Sequence, residues 1–105
     1  MSTSGAHAIV LYPRKEGSTF NADYYLKTHI PLAKKQWEKH GLKSFVVSEL
    51  NADGPYTYTV VLEWESYEGF GAAMKDEGTK EVMEDVKNFS SEKPVLVHGG
   101  IIGRG

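Results

Sequence analysis

The sequence contains no cysteine. Disulfides, thiolate nucleophiles and sulfur-based zinc sites are thereby excluded, and the absence fits a reducing compartment. No apolar run approaches the roughly 18 residues needed to span a bilayer. The opening MSTSGAH has neither a basic start nor an apolar core, so it does not read as a signal peptide. A soluble, cytoplasmic protein is expected. Twelve Lys and Arg against fourteen Asp and Glu give a net charge of −2, which leaves no basic surface for nucleic acid or anionic lipid. The four histidines show no HxH or HExxH spacing and no carboxylate pair beside them, so no metal is expected. No glycine-rich loop sits at a strand–helix junction, which argues against nucleotide cofactors.

What is present is an ordinary globular balance, 40% hydrophobic and 25% charged in 105 residues, which predicts a single domain over 1–105. A domain this small buries a modest share of its surface, so oligomerisation would add to its burial. The longest helix-patterned stretch is FNADYYLKTHIPLAKKQWEKHG, Phe20 to Gly41. At about 100° per residue, Ala22, Leu26, Ala33 and Trp37 form an apolar stripe with Tyr25, Ile30 and Leu32 at its flanks, and His29 lies inside it. Asn21 is the expected N-cap, Phe20 a staple against Tyr25, and Gly41 the stop. Pro31 should kink the helix, but it falls with Lys27 on the wet side, where water can satisfy the freed carbonyl.

Around this helix the pattern predicts strands over His7–Tyr12, Lys43–Leu50, Tyr56–Trp64 and Val95–Ile102. The turn residues Asn51–Pro55 join the middle two as a hairpin. Ser66 caps a second helix carrying Tyr67, Phe70 and Met74, weakened by Gly69 and Gly71. A further helical segment opens at Thr79, with Val82, Met83, Val86 and Phe89 in register. Gly99 and Gly100 suggest a bulge or a close backbone approach. The order β-α-β-β-α-β is that of a ferredoxin-like α+β fold, an antiparallel four-stranded sheet with both long helices on one face. The other face is expected to expose Val10, Tyr12 and Val61. Covering it by a second sheet predicts a homodimer.

The run LYPRKEGSTFNADYYLKTHIPLAKKQWEKHGL resembles the signature of the EthD (ethyl tert-butyl ether degradation) family. The matching residues are Tyr12-Pro13, Glu16-Gly17, Phe20, Tyr24-Tyr25, His29, Pro31-Leu32 and the region from Trp37 to His40-Gly41-Leu42. The resemblance implies a dimeric α/β barrel, in which ferredoxin-like protomers pair their sheets. It also implies a pocket between sheet and helices, used in several such enzymes without any cofactor. HAIVLY and YTYTVVLEWES further resemble strands of plant-type polyketide cyclases of the same superfamily. There, histidines at the positions of His7 and Tyr58 face the pocket; here the second is a tyrosine.

His29 is the sharpest candidate. A buried histidine is commonly a satisfied core residue. As a functional group, it is a general acid/base whose near-neutral pKa suits an apolar pocket. Tyr12 and Tyr58 are the expected catalytic partners that orient substrate. His7, Tyr25, Trp37, Trp64 and His98 are the expected substrate contacts, although each aromatic alone is an ordinary core residue. His98 could point into the pocket or the dimer interface, and His40 should serve the helix C-terminus. His29 alone could ligate a haem; against that, the short chain advertises little room for one. The expected function is a cofactor-independent enzyme on a small hydrophobic, aromatic or polyketide-like metabolite, either an oxidoreductase of monooxygenase type or a lyase or cyclase. The alternative is a non-catalytic binding or accessory protein of a degradation or secondary-metabolism pathway, using the same pocket.

Overall fold

β1 (Ala6–Pro13), β2 (Leu42–Glu49), β3 (Tyr56–Trp64) and β4 (Val95–Gly100) form one sheet in the order β2-β3-β1-β4. Every adjacent pair is antiparallel. With the helices between β1 and β2 and between β3 and β4, this is the ferredoxin-like α+β arrangement expected from the element order. The computed structural model describes residues 5–105. Most of the polar start, residues 1–4, lies outside the described residues. Among them, no helix is long and apolar enough to cross a membrane.

The first helical run covers residues 22–40 in four parts: α1 (Ala22–Tyr24), a π-helical turn (Tyr25–His29), α2 (Ile30–Trp37) and a 3₁₀ turn (Glu38–His40). The Asn21 side chain caps it, accepting the Tyr24 N–H at 3.1 Å. The Phe20 and Tyr25 rings meet at 5.1 Å as the staple. Gly41, at φ 98°, adopts the left-handed conformation that ends the run. The π turn stands just before Pro31, and there the Ile30 N–H reaches back five residues to the Tyr25 carbonyl. This wide turn is how the helix meets the proline, and Pro31 itself faces water.

The π turn also corrects the expected stripe. Wider than an α turn, it advances each residue by less than 100°, so Tyr25 and His29 both face inward while Leu26 is turned out, 53% exposed. The buried positions are Tyr25, His29, Ile30, Ala33 and Trp37.

α3 (Tyr67–Lys75) is capped by Ser66, whose hydroxyl accepts the Gly69 N–H at 2.9 Å. α4 (Gly78–Glu84) runs into a 3₁₀ turn, Asp85–Asn88. The bulge expected at Gly99–Gly100 is not formed. The β1–β4 register runs through without a shift, neither glycine has a positive φ, and no atom crowds either one.

The strand faces need a second correction. Ala6, Ala8, Tyr12, Val60, Leu62 and Trp64 are buried beneath the helices, and Val10 packs against that core. Alternation therefore places Val10 and Tyr12 on the helix side, not on the open face. Of the three expected there, only Val61 faces away. The register aligns it with Val46, Ile9 and Val97 in one row across all four strands, with Leu11 and Val95 paired beside them. Val46 and Val97 are exposed.

Candidate active site

His29 stands at the end of the π turn, 6% exposed. Its ring stacks on Tyr25 at 5.4 Å and leans on Phe89 at 4.5 Å. Nδ1 lies 2.9 Å from Asp85 Oδ2. The other carboxylate oxygen, Oδ1, accepts the Tyr24 hydroxyl at 2.6 Å and the Asn88 amide at 2.9 Å. Tyr24 comes from α1, and Asp85 and Asn88 come from the 3₁₀ turn after α4. The cluster thus ties the first helical run to the last helical segment.

The electrostatics follow from burial and these bonds. Desolvation holds the His29 pKa below its ordinary value, and the Asp85 carboxylate opposes that fall without cancelling it. Burial pushes the Asp85 carboxyl up, but bonds from Tyr24, Asn88 and His29 together bring it below the usual carboxylate range. Near neutral pH the pair is therefore a carboxylate and a neutral imidazole, with Nδ1–H donated to Asp85. Nε2 then carries the lone pair, the arrangement of an oriented general base.

His29 forms part of the wall of a cavity of about 150 Å³ between sheet and helices. Val10 and Leu62 line it from the sheet, Ile30 and Ala33 from α2, and Val82 from α4. Met83 and Leu96 also line it and remain partly open to solvent. An apolar cavity of this size suits roughly one benzene-sized ring. A haem does not fit, since its four-pyrrole macrocycle far exceeds this space. No group of three His, Cys, Asp or Glu side chains among the described residues is placed to hold a metal ion.

Five of the expected site residues converge here: His29, Tyr12, Tyr25, Trp37 and Trp64. Burial raises the Tyr12 and Tyr25 hydroxyls far above the ordinary phenol value, and the two rings meet edge to face at 5.7 Å. Both therefore stay protonated near neutral pH. The Trp37 indole N–H donates to Thr79 Oγ1 at 2.8 Å, and that hydroxyl donates to the Ala73 carbonyl at 2.6 Å.

Three expected residues are placed elsewhere. Tyr58 is on the helix side but does not line the cavity. Phe20 stacks on it at 4.2 Å, and its hydroxyl reaches Glu49 at 3.3 Å. The expected opposite wall for His29 is instead made by Val10, Leu62 and their neighbours. His7 alternates to the open face opposite Glu63, because the inward positions of β1 begin at Ala6. His98 faces the helices but is held by the Tyr67 hydroxyl at 2.6 Å and packs on Phe70 at 4.8 Å, outside the cavity lining. His40 meets Asp76 Oδ2 at 2.8 Å, a link between helices beyond its expected role at a helix end.

Asp85, Tyr24 and Asn88 were not among the sequence candidates. A signal for Asp85 existed: on a 100° wheel it lies about 60° from Val82, at the border of the apolar stripe. A carboxylate there needs a partner.

No family model and no curated protein matches the chain. Solved structures do. An EthD-like protein of Ralstonia eutropha JMP134 is similar at a TM-score of 0.81 and 24% identity, covering 98% of this chain and 97% of that one. An ethyl tert-butyl ether degradation family protein of Bacillus halodurans C-125 is similar at 0.70 and 21% identity, covering 93% and 99%. SnoaB of Streptomyces nogalater, a cofactor-independent oxygenase, is similar at 0.62 and 12% identity, covering 99% and 96%. The chain thus has the fold of the EthD-like proteins, the group that its residues 11–42 resemble.

Proposed function

We propose that this chain is an EthD-like small-molecule enzyme that works without a cofactor on an aromatic or polyketide-like metabolite, with His29 as general base. The observation that carries the reading is the chain of bonds from Tyr24 and Asn88 through Asp85 to His29, ending on an apolar cavity. A histidine needed only for packing could be satisfied by one backbone carbonyl. Here a buried carboxylate, itself held by two further donors, fixes the tautomer that leaves Nε2 basic. Nε2 would take a proton from an acidic O–H or C–H of the bound ring. The imidazolium formed is stabilised by Asp85, and the substrate anion is left in a low-dielectric space. Oxygenation, cyclisation and decarboxylation are all served by such an anion, and the similarity in fold to a cofactor-independent oxygenase supports the first. The cavity encloses about one ring, so a larger substrate would extend through the side of Met83 and Leu96.

The working unit in this reading is a homodimer, its sheets paired across the row Val46, Val61, Ile9 and Val97. The test of the catalytic role uses a panel of hydroxylated aromatics and aromatic polyketides. His29→Ala should retain ligand affinity within a few-fold and lose turnover by about 10²–10⁴. A variant that loses affinity alone would leave the pocket a binding or delivery site.

A further inference from the structure

β4 is an edge strand of the sheet, and its helix-facing side is left open. Leu96 and His98 pair with Val10 and Ala8 of β1, so both face the helices. Ala8 is buried there. Leu96 and His98 remain exposed, because α3 packs over β1 and β3 and stops short of the edge. Leu96 and Met83 are also where the cavity opens. From that opening the uncovered side of β4 runs past Phe70, a cavity-lining residue, to Tyr67 and His98. Their rings lie 5.9 Å and 4.8 Å from the Phe70 ring. Tyr67, Met83 and Leu96 are all exposed. Apolar side chains left open beside a cavity mark a ligand-binding surface.

A polar pair closes the far end of this trough. The Tyr67 hydroxyl lies 2.6 Å from His98 Nδ1. A phenol O–H donating to Nδ1 leaves the imidazole hydrogen on Nε2. No hydrogen bond among the described residues engages Nε2, which stands at the tip of an exposed ring. Leu96 and His98 are two residues apart on one face, about 7 Å along the strand, roughly the span of a second ring. We infer that Tyr67 and His98 form an outer subsite for a two-ring ligand. One ring is enclosed in the cavity beside His29. The second lies in the trough between α3 and β4, and a carbonyl oxygen on it accepts the His98 Nε2–H. His98 makes the contact, and Tyr67 is a positioning residue that fixes its tautomer.

The inference rests on the cavity being the ligand site proposed above, but not on turnover. It is tested by calorimetric titration with 4-hydroxybiphenyls that carry an acetyl or an isopropyl group at the 3′ or 4′ position, and with phenol. The isopropyl compounds keep the shape and lack the carbonyl. The better-placed acetyl compound should bind the wild-type protein roughly threefold to tenfold more tightly than its isopropyl partner, the worth of one neutral hydrogen bond. His98→Phe keeps a ring against Phe70 and removes both nitrogens. It should abolish that preference and leave the isopropyl affinities unchanged. Tyr67→Phe should reduce the preference; a merely structural role would weaken both ligands alike. Proton–nitrogen NMR of the imidazoles in the wild-type protein gives a second readout that needs no variant: the His98 Nε2 resonance should move with the acetyl compound and not with the isopropyl one. Equal wild-type affinities, a preference that survives in His98→Phe, or a His98 Nε2 resonance that stays in place at saturation would each overturn the outer subsite and leave the cavity reading intact. Binding of phenol without binding of any biphenyl at millimolar concentration would do the same. Failure of phenol and the biphenyls alike would overturn both.

Discussion

The His29 imidazole and the Asp85 carboxylate, 56 residues apart in the chain, meet at 2.9 Å beneath the helices. Each is more than four-fifths shielded from solvent, with side-chain exposures of 7% and 11%. Neither belongs in that environment alone. A lone buried carboxylate would be strongly disfavoured, and a lone imidazole would have no fixed tautomer. Tyr24 and Asn88 complete the arrangement by taking the second carboxylate oxygen.

The first consequence is for stability against pH. The folded state holds the His29 pKa below its ordinary 6.5. Above 6.5 the imidazole is neutral in both folded and unfolded chains and contributes no pH dependence. As pH falls through 6.5 the unfolded chain binds the proton first, so stability decreases until the folded pKa is reached. One such group gives a slope of at most about 1.4 kcal/mol per pH unit. Urea unfolding between about pH 7.5 and 5, a range that brackets ordinary histidine titration, should show this loss in the wild-type protein and a shallower one in His29→Gln.

Asp85→Asn separates orientation from basicity. The carboxylate raises the His29 pKa against the effect of burial, so its removal should shift the onset of activity to lower pH. The plateau rate should nevertheless fall, by roughly 10²-fold or more, because the weakened base loses its fixed tautomer. Tyr24→Phe should give a smaller loss in the same direction, since Asn88 still holds Asp85 Oδ1. A pH–rate profile of the three proteins distinguishes these outcomes, and an unchanged onset in Asp85→Asn would remove the carboxylate from the mechanism.

Two glycines in α3 predict opposite responses to alanine. A Cβ at Gly69 would collide with the His40 backbone carbonyl oxygen, which cannot swing away. A Cβ at Gly71 would meet nothing within 4 Å. Gly71→Ala should therefore stabilise the protein by about 0.5–1 kcal/mol through helix propensity. Gly69→Ala should destabilise it despite the same gain. Thermal unfolding of the two variants checks the pair.

Local chemistry made much of this fold legible. β3 reads correctly from end to end because Tyr56, Tyr58, Val60, Leu62 and Trp64 alternate with Thr57, Thr59, Val61 and Glu63. The Asn21 and Ser66 caps and the Gly41 stop act through neighbours in sequence. What sequence reading missed depends on contacts far along the chain. Leu26 turns outward because a π turn precedes Pro31, which a uniform 100° wheel does not represent. Tyr58 shares a face with the cavity residues, but Phe20 comes from outside the strand to cover it. Asp85 becomes part of the site only when the turn after α4 is laid against the π turn. Gly69 looked like a weakness in a helix, yet it is where the helix approaches the His40 carbonyl.

The open sheet face supplies the last prediction. Val46, Val61, Ile9 and Val97 lie side by side across β2, β3, β1 and β4, with Leu11 and Val95 in the next row. Such a continuous apolar band is unfavourable in water, and covering it by a second copy of the sheet would remove it. Val61 is in a central strand with apolar neighbours on both sides, so a carboxylate there would be buried without a partner in the paired state and hydrated in the separate chain. The charge would thus act on association and leave the protomer core, on the other side of the sheet, unaltered. Wild-type protein at micromolar concentration should sediment as a dimer, and Val61→Glu as a folded monomer with retained circular dichroism. A wild-type monomer at that concentration would show that the band is covered in some other way, or not at all.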